Sequence, residues 1–153
     1  MQFQFFLINA ESLDFCQFAD LHRDWAVFDA RTLLSLSILQ FGAKKALQAQ
    51  AEGKMKADHI CAELKTDMFP TRSISAAMSS FGPSKDTKAA VLATFTDHAL
   101  PEELSGHEIH MSRLSEFRDA GMVSALYSLK KVPESEWENR VLTALATRDV
   151  MKA

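Results

Sequence analysis

The stretch from Arg31 to Ala51 constrains this chain most, because it reads as one helix that is apolar on nearly every side. Asp29 supplies an N-cap and Gly53 a stop. On a helical wheel Leu34, Ile38 and Phe41 occupy one arc, and Leu33, Leu36, Leu39, Ala43, Ala46 and Leu47 another. Only Ser37, Lys44 and Gln48 form a polar strip between them. Such a helix must bury two faces. Either it is sandwiched inside its own fold, or one face is core and the other meets a partner.

The segment that follows is strongly punctuated. Ala57, Ile60, Cys61, Leu64 and Met68 recur at helical spacing until Pro70 ends the run. Ser73 then caps a second helix in which Ile74, Ala77, Met78 and Phe81 repeat the pattern. Gly82 can take the left-handed stop conformation, and Pro83 prevents continuation. Ile60, Cys61, Leu64, Ile74, Met78 and Phe81 are expected to face inward, leaving Lys54, Lys56 and Arg72 on the rim.

Strands frame these helices. Phe3–Ile8 and Trp25–Phe28 are aromatic and β-branched runs, separated by a loose helical stripe over Glu11–His22. Ala89–Thr96 is apolar on both sides of the alternation and reads as an interior strand. His98–Ser105 reads as a polar loop and His107–Met111 as an edge strand. Met122, Val123, Leu126 and Tyr127 suggest a helix. Pro133 opens a last one, striped by Trp137, Val141, Ala144 and Leu145. This order predicts an α/β (α+β) class, with one domain over residues 1–153.

A net charge of −3 gives no general attraction to nucleic acid or to an anionic membrane, so any such contact must be a local patch. Cys16 and Cys61, both in apolar periodic surroundings, fit free thiols in a reducing compartment. The start lacks a positive n-region, and no stretch approaches the roughly 20 apolar residues that span a bilayer. Cytoplasm is the expected location, with the nucleus as an alternative.

Catalytic and cofactor motifs are not found. There is no glycine-rich phosphate loop, no CxxC pair and no GxSxG elbow. His107 and His110 fall on opposite faces of a strand, which fits surface histidines and no metal. Ser73 and Ser75 read as cap and first-turn residues, and the carboxylates are scattered without a pair in an apolar setting. No cofactor is expected. Lys44, Lys45, Lys54, Lys56, Lys65 and Arg72 cluster in sequence. They fit either a solvated helix face with a charged turn, or a patch for phosphates.

Asp29 to Ala57, followed by Ile74-Ser75-x-Ala77 and Phe81-Gly82, resembles the small kinase-binding subunit of the KEOPS (EKC) complex, the PRPK-binding protein family. The specific parts are Gly53-Lys54-Met55-Lys56 and the Ile-Ser-x-Ala…Phe-Gly spacing. The likeness covers about Asp29 to Phe95, with weaker matching at Gly106-His107 and Thr147-Arg148-Asp149-Val150. Pro83 departs from it, standing where the family has an apolar residue.

The resemblance implies a compact, mostly antiparallel sheet packed with helices. It implies a non-catalytic subunit that binds the N-terminal lobe of a small atypical kinase/ATPase. Through that partner it implies a link to the subunit that transfers threonylcarbamoyl to tRNA, and assistance in holding the tRNA 3′ end. The eukaryotic complex carries further links to telomere maintenance and transcription. On this basis Leu33, Leu36, Ile38, Val141, Leu145 and Val150 are the expected kinase-binding residues. Lys44, Lys45, Lys54, Lys56 and Arg72 are the expected RNA-binding ones. The competing readings are a stand-alone RNA-binding module and a small-molecule enzyme.

Overall fold

The computed structural model of the chain describes residues 3–148. Strand β1 (Gln4–Asn9) pairs antiparallel with β3 (Ala89–Thr94), placing Leu7 opposite Val91 and Ile8 opposite Ala90. On the far side of β3 lies β2 (Ala26–Asp29), with Phe28 opposite Val91. The short β4 (Glu108–Ile109) closes the other edge, giving the order β2-β3-β1-β4 with every pairing antiparallel. All six residues of β3 are buried, as its unbroken apolar run requires of a central strand covered on both faces. The expected α+β class, a helix-covered antiparallel sheet, is what the chain forms.

The two faces of the sheet carry separate cores. Ile8, Val27, Ala90 and Leu92 pack with Phe15 and Phe18 of α1 (Phe15–Leu21), and with Leu104 of α5 (Glu102–Ser105). Leu7, Phe28, Val91 and Ala93 meet the larger group. That group comprises α2 (Leu36–Ala51), α3 (Ile60–Met68), α4 (Ile74–Phe81), α6 (Ala120–Tyr127) and α7 (Trp137–Arg148). No helix among the described residues is long and apolar enough to cross a membrane.

Several local expectations need correction. The long helix starts at Leu36, not Arg31, because Asp29 caps a separate 3-10 turn over Ala30–Thr32. Leu33 then leaves that turn in an extended conformation, and Ser35 caps α2. The loop at 98–105 contains α5, and the edge strand is only two residues long before a 3-10 turn over Met111–Glu116. Gly82 has φ −69°, so it is not a left-handed stop. Glycine fits there because a Cβ would sit 2.6 Å from the Met78 carbonyl oxygen. Left-handed conformations occur instead at Gly53, φ 67° just after α2, and at Ser128, φ 58° just after α6.

Helix α2 uses both of its apolar arcs within the chain. It packs against α3 on one side and α7 on another, and Ile38, Leu39, Ala43 and Ala46 are buried. Gly42 is the point of closest approach to α3, since a Cβ there would run into the Met68 side chain. Ile74 is only half-buried, and Met78 of α4 is 40% exposed, contrary to the expected inward stripe. On α7, Ala144 is exposed while Trp137, Val141 and Leu145 are buried.

Candidate functional site

The segment between the end of α2 and the start of α4 holds most of the charged groups singled out by sequence. It sorts them into two kinds. Lys54 follows the Gly53 turn, 75% exposed at its side chain and only 3.8 Å from Glu52. Lys44 is likewise exposed. These two are displayed to solvent.

Lys56 behaves differently. Its ammonium lies 3.8 Å from Glu63 Oε2 and 3.6 Å from Asp67 Oδ1, and both carboxylates belong to buried residues of α3. Glu63 also accepts the backbone N–H groups of Lys56 and Ala57, at 2.8 and 3.0 Å. One carboxylate therefore fastens the turn that enters α3. The separations to Lys56 are those of ion pairs rather than tight hydrogen bonds. Burial, reinforced by the neighbouring Glu63, raises the Asp67 carboxyl above the usual range, against the pull of Lys56 and Lys45. Arg148, at the end of α7, completes the group: its Nη2 stands 3.6 Å from Asp67 Oδ1. Its Nη1 donates to the carbonyls of Thr66 and Phe69 at the end of α3, where the Thr66 carbonyl also accepts the Phe69 backbone N–H.

This cluster corrects the reading that no carboxylate pair occupies an apolar setting. Glu63 and Asp67 are four apart on one helix, a spacing that puts both on one side. That spacing was the available signal, hidden because α3 also carries a continuous apolar stripe.

Of the remaining expected RNA-binding residues, Lys45 places its ammonium 5.7 Å from the centre of the Phe41 ring, a cation–π contact. Arg72 is half-buried, with Nη2 3.5 Å from the Arg148 carbonyl. The lysines and Arg72 thus do not converge on one open patch.

The expected kinase-binding residues fall on neighbouring elements but mostly below the surface. Leu33, Ile38, Val141 and Leu145 are at most 1% exposed, enclosed by the chain's own core. Leu36 is half-buried at the start of α2. Val150 lies outside the described residues. The physical reason is that an apolar helical stripe does not announce whether its own fold or another chain covers it.

A second charged network pins the sheet edge. Asp29, 2% exposed, accepts Arg31 Nη2 at 2.7 Å and Thr87 Oγ1 at 2.8 Å. The hydrogen bonds from Arg31 and Thr87 and the Arg31 charge hold its carboxyl below the usual value, outweighing the opposing effect of burial. Cys16 and Cys61 are free thiols, as expected, though Cys16 is only half-buried. Among the described residues no group of three or more His, Cys, Asp or Glu could hold a metal.

Among the described residues the chain forms a four-stranded antiparallel sheet covered by helices, with α2 packed against α3 and α7, and the family it matches is one of kinase-binding proteins. The family model described as kinase binding protein CGI-121 matches residues 7–149, and the chain belongs to that family. No curated protein matches the chain.

Proposed function

We propose that this protein is the non-catalytic, kinase-binding subunit of a KEOPS-type complex. It binds the small atypical kinase/ATPase and, through it, supports threonylcarbamoyladenosine modification of tRNA in the cytoplasm and nucleus. The observation that carries this reading is the family match, which runs through nearly every element of the fold. The resemblance in Gly53-Lys54-Met55-Lys56 and Ile74-Ser75-x-Ala77…Phe81-Gly82 supports the finer assignment.

The kinase contact is assigned to the paired α2 and α7. Leu36 is the residue of the expected set whose side chain remains accessible among those described. Leu33, Ile38, Val141 and Leu145 support it from below by fixing how the two helices sit. Gel filtration of the chain co-expressed with the cognate small kinase tests this assignment.

A direct RNA contact is a second reading, favoured by the exposure of Lys44 and Lys54 beside the Gly53 turn. Exposed lysines supply phosphate contacts of the salt-dependent kind. In this reading Lys56 has a structural part, since its ammonium already faces two buried carboxylates.

A further inference from the structure

Lys65 is the least expected residue of α3. It is 5% exposed, although a lysine is rarely buried without a counter-charge. Its ammonium sits 5.4 Å from the centre of the Phe28 ring. The end of α4 is also close, since a Cβ on Gly82 would lie 3.9 Å from Nζ. A ring face and a helix C-terminus both favour a cation, but neither carries a full negative charge. Among the described residues, no hydrogen bond or carboxylate ion pair reaches this ammonium.

Beside it opens a cavity of about 480 Å³, lined by Lys65 itself and by Trp25, Val27, Cys61, Ala62 and Met78. This is the size and lining of a small-molecule pocket: apolar walls with one buried charged group. We propose that the cavity binds a small, largely apolar molecule bearing a single carboxylate. Lys65 supplies the counter-charge, and Trp25, Val27, Ala62 and Met78 enclose the apolar body.

The chemistry of the surroundings narrows the ligand. Cys61 cannot compensate the lysine, because burial pushes its thiol up to about 12 and keeps it neutral. Its Sγ instead lies 3.5 Å from the Asp24 carbonyl oxygen. The other titratable groups lining the cavity are Cys16, Asp20 and Arg23 from α1 and the loop after it, and His59 from the start of α3. Strand β2 and helix α4 contribute none to the lining. Asp20 and Arg23 are exposed and of opposite sign, so Lys65 is the one buried cation of the lining. A monoanion matches that single buried charge.

Protonation gives the site a signature. Burial lowers the Lys65 amine to about 8. A bound carboxylate favours the charged form and raises that value. Affinity is therefore full at neutral pH and falls as pH climbs through the value of the bound state.

The test titrates 1-naphthoate and, in parallel, neutral 1-naphthamide into the full chain at pH 7, following backbone amide and tryptophan indole NMR shifts. Saturable naphthoate shifts at Lys65, Cys61 and Trp25, with naphthamide at least about tenfold weaker, are expected. Lys65→Met should weaken naphthoate by about tenfold or more while leaving naphthamide unchanged. For wild type, repeating the titration at pH 10 should likewise weaken naphthoate alone. Equal binding of acid and amide, pH-independent naphthoate binding, shifts centred on Lys44 and Lys54, or no saturable shift at millimolar naphthoate would each overturn the assignment. None of these results depends on kinase binding.

Discussion

Arg148 and Asp67 join the ends of two helices that are far apart in sequence. Arg148 Nη2 stands 3.6 Å from Asp67 Oδ1, with side-chain exposures of 7% and 1%. The same guanidinium caps α3 by donating to the Thr66 carbonyl at 2.8 Å. A planar group with several fixed donors can do both.

Removing Arg148 should therefore cost more than one ion pair. Arg148→Met leaves two buried carboxylates with less positive charge nearby and strips the end of α3 of a donor. A loss of about 3 kcal/mol is expected, and a clearly smaller one for Arg113→Met, which removes only a solvent-exposed pair. Urea denaturation measures both. Equal losses would show that the buried group contributes no more than a surface contact.

Asp67 should make stability pH-dependent in an unusual sense. Burial and the Glu63 carboxylate raise it from 3.8 to about 7. Between those values the folded chain holds a proton that the unfolded chain has lost, so this group's contribution falls as pH rises through the window. Asp67→Asn removes the titration. Relative to wild type, the variant should gain stability between pH 4.5 and pH 7.5, a trend that thermal melts at both values would reveal. A constant difference contradicts the raised value.

The α2–α3 contact depends on Gly42. An added Cβ would meet Leu64 Cδ1 at 3.2 Å and press harder still on Met68. Gly42→Ala raises helix propensity by roughly 1 kcal/mol, but overpacking of roughly 1–3 kcal/mol opposes it. Net destabilisation is expected. Combining it with Met68→Ala should cost clearly less than the sum of the two single changes, because the new methyl enters the space that Met68 vacates. Strict additivity in a denaturation cycle would contradict the close approach.

The two lysines of the Gly53 turn should separate cleanly. Lys54→Glu, at a side chain 75% exposed, should leave the melting temperature nearly unchanged. Lys56→Glu sets a third carboxylate against Glu63 and Asp67 and should destabilise by about 3 kcal/mol. If the RNA reading holds, Lys54→Glu also weakens tRNA binding and shallows its salt dependence. Unchanged tRNA affinity removes Lys54 from that reading.

How much of this was legible from sequence follows a physical line. Periodicity placed β3 and the α4 helix, because a run apolar on both alternations and a stripe closed by Ser73 and Gly82 each fit one structure. Periodicity did not tell which chain covers Leu33, Ile38, Val141 and Leu145, since core and partner surface use the same residue types. The start of α2 was misplaced because Asp29 and Ser35 are both good caps, and the sequence does not show that Leu33 is extended between them. Glu63, Lys65 and Asp67 escape a sequence reading for a shared reason. Charge predicts exposure, and each is held inside by partners or walls brought from other elements, whereas Lys56 is exposed as its place on the rim predicts while its ammonium faces two of them.

Kinase binding is read out by co-expressing this chain with its cognate kinase, followed by gel filtration with light scattering. A stable one-to-one complex is predicted, and Leu36→Glu, at the accessible start of α2, should weaken it without lowering the chain's melting temperature. Separate elution of the two wild-type proteins, each folded, would rule out kinase binding by this chain.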